Sequence, residues 1–187
     1  MVANIFNRRE RPPHEMDGVL SEGKFNTIQL KKEDPEILII DLLKATKKSL
    51  SMSSSLAPVF YVKKPNVYNA FKETLQNENV KTRLIFDSSV SEWNTIKAVL
   101  QFNNETWVDS LIKNKTLEVR ENKNIPHWII VDDDHVRIEK SHDPGVLLTT
   151  NAIMHNIEKS NDAALKVLFS TIKSTFDSWW TISNSVT

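Results

Sequence analysis

The segment WIIVDDDHVRIE, Trp128–Glu139, decides the fold class of this chain. Its first four residues, as far as Val131, are all large and apolar, which is typical of a strand buried in the middle of a sheet. The three aspartates that follow predict a turn, and from His135 onward polar and apolar residues alternate as in a second strand. The segment therefore predicts a β-hairpin whose first strand is central.

Helices and strands alternate along the chain on the N-terminal side of this hairpin. A helix is predicted to start at Asp34-Pro35-Glu36, because the triplet combines an N-cap carboxylate, a proline at the first helical position and an acid in the first turn. Period-2 runs predict strands, and apolar residues three or four apart predict helices. These further predictions are strands at 49–53, 80–86 and 117–120, and helices at 66–78, from Glu92 and around Trp107–Ile112.

The C-terminal region carries the clearest helical pattern. Ser160 or Asn161 can cap this helix, and Val146-Leu147-Leu148 is a further candidate strand before it. The elements together predict an α/β fold, in which a mixed sheet is flanked by helices on both faces and a long helix ends the chain. The apolar side chains that recur on one face of that helix are Leu165, Leu168, Phe169, Ile172, Phe176 and Trp179.

Composition limits the possible functions. The chain has 187 residues, which fits one domain, and it has no cysteine, which excludes disulfides, thiol nucleophiles and Cys-ligated metal sites. With only three glycines it cannot form a glycine-rich nucleotide loop. The formal net charge is zero, so nucleic acid is not expected as a partner, since non-specific binding requires a basic excess. No apolar run approaches the roughly 20 residues of a membrane span or forms an export signal, so we expect a cytoplasmic protein.

Residues 1–33 differ in character from the rest of the chain. The stretch Arg8-Arg9-Glu10-Arg11-Pro12-Pro13-His14 is polar, charged and interrupted by proline, without an apolar period. We therefore expect a flexible or loosely docked arm over 1–33 and one α/β domain over 34–187. The arginines of the arm either contact an anionic partner or are simply solvated.

A metal site is the first chemistry to test, because histidines and acids cluster between residues 127 and 155. Neither the H-E-x-x-H nor the C-x-x-C spacing occurs. A calcium loop requires alternating ligands and a glycine at the turn, so Asp132-Asp133-Asp134 is more simply explained as a solvated turn. We expect no metal and no cofactor.

Two other groups of side chains are candidates for binding an oxyanion. Ser53-Ser54-Ser55 ends a predicted strand, and such an end can line a ligand crevice, although serine also tolerates a crowded strand end. His135 and Arg137 share one face of a predicted strand, with Lys140 just beyond; imidazole carries protons and guanidinium binds phosphate through a fork of donors. That face can equally be an exposed ladder of charges, including Glu139, on an edge strand.

The layout resembles one half of the phospholipase D-like superfamily. There, a histidine-x-lysine-x4-aspartate pattern accompanies a strand–turn–strand similar to Trp128–Glu139. Leu50–Ser55 and Val80–Ile85 are similar to the first two strands of its sheet, and Phe169–Trp180 resembles the closing helix of archaeal sensor and regulator domains of this class. The resemblance covers residues 34–183, which is one unit rather than the paired units of a full enzyme.

The catalytic pattern of that family is incomplete in this chain. His127 lies where the nucleophile would, but Ile129 occupies the position of the phosphate-binding lysine. The resemblance therefore implies a non-catalytic domain that acts in ligand sensing, regulation or scaffolding, with a phosphate-containing small ligand or a regulatory protein as partner. The alternative is a divergent phosphodiesterase or nuclease that uses His135, Arg137 and Lys140 together with His127.

The resemblance also implies a homodimer, because single-unit members commonly pair to imitate the two-unit form. Trp179-Trp180 fits this expectation. Only one of two adjacent tryptophans can share the core face of a helix, so the other is expected to be exposed or covered by a partner.

Overall fold

Five helices and eight strands make up the part of the chain that the computed structural model describes, which is residues 26–29, 34–54, 64–101, 106–123, 125–139, 150–154 and 161–186. The helices are α1 Asp34–Ala45, α2 Pro65–Gln76, α3 Trp93–Leu100, α4 Trp107–Lys113 and α5 Ala163–Ile182. The strands are β1 Asn26–Gln29, β2 Ser49–Ser54, β3 Lys81–Asp87, β4 Leu117–Asn122, β5 His127–Val131, β6 His135–Glu139, β7 Thr150–Met154 and β8 Asn184–Ser185.

The described strands form one mixed sheet in the order β1-β7-β6-β5-β2-β3-β4-β8. The neighbours β2, β3 and β4 run parallel, and all other neighbouring pairs are antiparallel. β5 and β6 form the predicted hairpin, in which Val131 is paired with His135 across the turn. β5 lies between β6 and β2, as its apolar sequence predicts. The predicted α/β class with a mixed sheet is confirmed.

Helices α1 to α4 cover one face of the sheet, which we call the α1–α4 face. Along β3, Leu84 and Phe86 point into this face, while Ile85 between them points to the other, as the alternation of strand residues requires. Most of the buried side chains here are apolar. The apolar members from the helices include Leu38, Leu42, Val67, Phe71, Leu75, Ile96, Leu100, Val108 and Leu111.

The long helix α5 covers the opposite face, which we call the α5 face. Its inward residues recur three or four positions apart, so they form the apolar stripe that the sequence predicts. Ile85 of β3 and Ile130 of β5 contact this stripe from the sheet. The buried members of the stripe are Leu165, Phe169, Ile172 and Phe176. No helix of the described ranges is both long and apolar enough to cross a bilayer.

Several predicted details differ from the structure. Asp162 caps α5, instead of Ser160 or Asn161, because its carboxylate accepts hydrogen bonds from the backbone N–H groups of Ala164 and Leu165 at 2.9 and 3.2 Å. Leu168 is 45 % exposed and is not part of the buried stripe.

Two further differences concern strands. Asn26–Gln29, inside the predicted arm, pairs with β7 as β1, because extended backbone can complete a sheet edge without an apolar period in its sequence. The rest of the arm lies outside the described residues, as does the candidate strand Val146–Leu148. Among the described residues, β7 is the strand that follows the hairpin, and it pairs with β6.

Candidate functional site

The carboxyl ends of the parallel strands β2, β3 and β4 meet at one edge of the sheet, which we call the crevice edge. Ligands of open α/β sheets bind at this kind of edge. Ser54, Asp87 and Asn122 end the three strands, and β5 begins beside them with His127 because it runs antiparallel to β2. The topology therefore brings a hydroxyl, a carboxylate, an amide and an imidazole to one end of the sheet.

Asp87 and Asn122 are both engaged inside the fold. The carboxylate of Asp87, which is buried, accepts hydrogen bonds from the backbone N–H and the hydroxyl of Ser89 at 2.9 and 2.5 Å. The amide nitrogen of Asn122 donates to the hydroxyl of Ser183 at 3.1 Å, and its oxygen accepts from the backbone N–H of Lys123 at 2.7 Å. These interactions shape the loop after β3 and connect β4 to the end of α5.

His127 and Ile129 are the residues that the sequence resemblance aligns with the histidine and the lysine of the family pattern. Both point into the α1–α4 face, since they are two residues apart on β5. His127 is 8 % exposed and Ile129 is 2 % exposed. Ile129 packs in the apolar core of that face. The residue that the resemblance aligns with the lysine is therefore part of an apolar core.

Arg137 lies directly across from Ile129 on the neighbouring strand β6. It is only 2 % exposed, and β6 lies between β5 and β7. The alternative interpretation of this strand as an exposed edge ladder is therefore wrong, because the strand is internal and its guanidinium is buried. Arg137 is a diagonal neighbour of His127, with Cα atoms about 7–8 Å apart in such a pair.

His135 does not join His127 in one site. It is paired with Val131, at the turn end of the hairpin, whereas His127 is paired with Glu139 at the other end. Both histidines are on the same face, but four residues along a strand separate them by about 13 Å. His135 lies instead beside Asp134, with its Nε2 atom 3.6 Å from a carboxylate oxygen.

The serine group is only partly within the described residues. Ser53 is buried; its hydroxyl donates to the carbonyl of Pro126 at 2.7 Å and accepts from the backbone N–H of Trp128 at 3.3 Å. It thus joins β2 to the start of β5. Ser54 lies at the crevice edge and is half-buried, while Ser55 and Lys140 lie outside the described residues.

The acidic turn Asp132-Asp133-Asp134 serves the fold. Asp132 and Asp133 have φ values of 53° and 57°, which a two-residue hairpin turn requires and which aspartate tolerates. The Asp132 carboxylate accepts hydrogen bonds from the backbone N–H groups of Lys47, Lys48 and Ser49 at 2.7–2.9 Å. Among the described residues no cluster of three or more potential metal ligands occurs.

Trp180 and two arginines form a cluster on the α5 face that was not predicted from the sequence. The guanidinium groups of Arg83 and Arg120 lie 5.5 and 4.6 Å from the centre of the Trp180 ring, which also stacks on Phe176. Arg120 donates to the carbonyl of Trp180 at 2.5 Å, near the C-terminus of α5. The alternation of β3 and β4 places both arginines on the α5 side, and this pattern was the available signal.

This cluster tests the prediction that was made from the adjacent tryptophans Trp179 and Trp180. Trp179 packs on Trp128 with ring centres 4.5 Å apart, and Trp180 packs against both arginines. Both tryptophans are partly buried within the chain. The prediction that one of them is either exposed or covered by a partner is wrong, because arginine side chains cover the second ring.

Comparison with known proteins gives similarity of fold. No protein-family model and no curated protein matches the chain. The fold is similar to that of TrmBL2, an archaeal chromatin protein reported to show a novel mode of DNA binding, with a TM-score of 0.59 and 13% identity over 92% of this chain and 59% of that one. It is also similar to NucT from Helicobacter pylori, with a TM-score of 0.52 and 12% identity over 87% of this chain and 97% of that one.

These similarities correct one expectation and support another. The expectation from zero net charge that nucleic acid is not a partner is wrong, because related folds occur in a DNA-binding chromatin protein and in a nuclease. Net charge describes the whole chain, and binding depends on the charge of one surface. The similarity to NucT over 97% of that chain supports the expected α/β fold.

Proposed function

We propose that this chain is a non-catalytic phospholipase D-like domain that acts in regulation or scaffolding through contact with nucleic acid. The observation that carries the proposal is Ile129, which is 2 % exposed in an apolar core at the position where the family has lysine. Without that lysine, the transition state of phosphodiester cleavage loses a cation aimed at its oxygens. One such donor contributes about 3–4 kcal/mol, or a factor of about 10²–10³ in rate.

The described cations near the crevice edge do not replace the missing lysine. Arg120 is held by the C-terminal carbonyls of α5 and by the ring of Trp180. Lys123 is exposed at the end of β4. Because Arg120 lies on the α5 face, opposite to the face of His127, and Lys123 is exposed to solvent, these two cations favour binding over cleavage.

Contact with nucleic acid is proposed from the fold. TrmBL2 is described as a DNA-binding chromatin protein, and NucT is a nuclease of the phospholipase D-like type. A domain of this fold that has lost its cleavage residues retains a scaffold suited to a polyanionic partner.

The test measures cleavage and binding separately. Purified protein is incubated with bis(p-nitrophenyl) phosphate and with plasmid DNA, and its affinity for a labelled duplex is measured by fluorescence anisotropy. We expect duplex binding without turnover. Turnover that disappears in His127→Ala, while the thermal melt of the variant is unchanged, would contradict the absence of catalysis; failure to bind DNA at low salt would contradict the partner.

A divergent phosphodiesterase is the second candidate, and the register of Arg137 favours it. This guanidinium is opposite Ile129 and diagonal to His127 on the same face. An arginine from the neighbouring strand would then supply the charge that the lysine supplies in the family. This candidate requires turnover that is lost in Arg137→Met and retained in a variant at His135, which lies at the far end of the hairpin.

A homodimer remains part of the proposal because the chain corresponds to a single unit. The TrmBL2 and NucT similarities do not test it, and Trp180 does not support it. Light scattering after gel filtration measures the mass directly. A monomer at micromolar concentration in the presence and absence of duplex DNA would remove the dimer from the proposal.

A further inference from the structure

The amino ends of the parallel strands form a second edge, opposite the crevice edge. Here the backbone N–H of Lys81 donates to the carbonyl of Lys48 at 2.9 Å, and that of Thr82 donates to the carbonyl of Thr116 at 2.8 Å. The starts of β2, β3 and β4 are therefore side by side. We call this the lysine edge, because six exposed lysines lie on it or on the helix ends beside it: Lys44, Lys47, Lys48, Lys81, Lys113 and Lys115.

Only part of this charge has a structural explanation. Lys44 and Lys113 are in the last turns of α1 and α4, where a cation stabilises the helix dipole. Lys48, Lys81 and Lys115 lie outside the helices. In the described ranges, none of the six lysine side chains forms an ion pair.

Acidic side chains at this edge offset part of the lysine charge. Two of them have their own neighbours: Asp133 pairs with Lys173 at 2.7 Å, and Asp134 lies beside His135. The others are Asp132, which accepts the backbone N–H groups of Lys47, Lys48 and Ser49, and the exposed Glu73, Glu78 and Glu118, of which Glu73 is in the last turn of α2. These four acids against six lysines leave an excess of two positive charges at the edge, although the chain is neutral as a whole.

The chemistry of the edge suits a phosphate backbone. Exposed ammonium groups on flexible stems bind phosphates as point charges and read no base sequence. From Lys48 to Lys115 the edge crosses two strand spacings, about 10 Å, which is wide enough for neighbouring phosphates of one DNA strand. The exposed large apolar residues of the described chain, Val167, Leu168 and Ile182, are on α5, so the edge lacks the apolar side chains that insert into a membrane.

We infer that the lysine edge is a sequence-independent binding surface for the phosphate backbone of duplex DNA. The inference rests on the proposed contact with nucleic acid and adds its location, at the end of the sheet opposite the crevice edge. Binding at this edge leaves His127 and the crevice edge free for another ligand or protein.

The test is a charge reversal with a matched control. Lys81→Glu alters the edge, and Lys123→Glu makes the same net charge change at an exposed lysine just after β4, at the opposite end of the sheet. Affinity for a short labelled duplex is measured by fluorescence anisotropy over a series of NaCl concentrations. Because these side chains are exposed, both variants should stay within about 0.5 kcal/mol of wild-type stability, which thermal melts check.

Comparing the two variants separates the effect of the lysine edge on affinity from the effect of net charge. The edge variant should bind about tenfold or more weakly at low salt, and the slope of log K against log salt should fall by about 1 for each phosphate that the protein no longer neutralises. The control variant should stay within about twofold of wild type, because Lys123 lies at the crevice edge, at the far end of β4 from the lysine edge. Equal losses of affinity in the two variants, or an unchanged edge variant, would overturn the lysine edge while leaving DNA binding intact.

Two further outcomes would contradict more than the position of the DNA-binding surface. Absence of duplex binding by the wild type at low salt would overturn both the lysine edge and the proposed contact with nucleic acid. Binding to anionic phospholipid vesicles in preference to duplex DNA, abolished in the edge variant, would identify the edge as a lipid-binding surface and overturn the assignment to DNA.

Discussion

The two faces of the sheet are buried by different means. The α1–α4 face is covered by four helices with an apolar core. The α5 face is covered by one helix and a smaller apolar cluster, and the arginines Arg83 and Arg120 fill the space beside Trp180. A single helix supplies one narrow stripe of apolar side chains, so planar guanidinium groups cover the remaining width. We therefore expect the stability of the α1–α4 face to depend on the volume of its buried side chains. The stability of the α5 face should also depend on how the rings and guanidinium groups are oriented.

The largest expected effect comes from removing one fully buried ring from each face. Phe71 of α2 and Phe176 of α5 are 1 % and 0 % exposed. Phe71→Ala and Phe176→Ala should each lower the free energy of unfolding by about 3–5 kcal/mol, through lost burial and the cavity left behind. Urea denaturation measures both values.

A leucine substitution separates ring geometry from side-chain volume at Phe176. Phe176 stacks on Trp180 and lies under the Arg83 guanidinium at 5.2 Å, so Phe176→Leu should still lose about 0.5–1.5 kcal/mol of ring interactions in addition to its volume change. A loss no larger than the volume change predicts, measured by urea denaturation, would contradict the role of ring geometry at the α5 face.

The next largest loss of stability is expected from replacing Arg120, whose planar guanidinium matters as well as its charge. Arg120 donates to the Trp180 carbonyl and stacks on its ring, so Arg120→Met should cost about 1.5–3 kcal/mol, the contribution of a hydrogen bond to a charged group. Arg120→Lys keeps the charge but lacks the planar fork, so it should recover little of this loss. Urea denaturation followed by tryptophan fluorescence reports both; full recovery with lysine would mean that charge alone matters.

A smaller loss of stability is expected from the hairpin turn, which neither helical layer covers. Asp132→Asn should cost about 1–2 kcal/mol, because a neutral amide offers one oxygen to three backbone N–H donors and loses the charge-assisted bonds. Asp133→Asn in the same turn breaks only its surface pair with Lys173 and should cost less than about 0.5 kcal/mol. Equal costs would show that the turn, and not the carboxylate, stabilises the start of β2.

The smallest effect is a pH dependence on the outer surface of α4. A hydrogen bond from Lys97, followed by one from Gln101, lowers the pKa of Asp109 below its ordinary value of 3.8. A lowered pKa in the folded state stabilises the fold above pH 3.8, and this contribution is lost as pH falls through the lowered value. Asp109→Asn should therefore be slightly less stable than wild type at neutral pH, and the difference should vanish in acid. A difference that persists at low pH, measured by urea denaturation across the pH range, would assign the effect to packing.

Much of the fold could be predicted from the periodic pattern of apolar residues. The alternation in β3 correctly placed Thr82, Leu84 and Phe86 on one side and Arg83 and Ile85 on the other. The apolar run before the acidic turn correctly predicted an internal strand. These predictions succeeded because burial of apolar area dominates folding energies and leaves a local pattern.

Less of the candidate site could be predicted from the sequence. The sequence placed His127 and Arg137 among the candidates, but Ser53, His135 and Asp132 make fold contacts or lie elsewhere. Trp180 was expected to be exposed or covered by a partner, because the arginines that contact its ring come from strands far away in sequence. The carboxylate of Asp132 binds a backbone N–H that is 85 residues away in sequence, and no local pattern encodes such a pair.

The sequence by itself determined the five helices, the hairpin and the parallel strands, though not β1 or β7, and it determined most of the buried sides of these elements. Those properties depend on neighbours within a few residues, since apolar period is local. Only the tertiary structure decided that Arg137 lies across from Ile129, that two arginines contact the Trp180 ring, and that the lysines before three strands share one edge. Those relations depend on strand order and register, which join residues far apart in the chain.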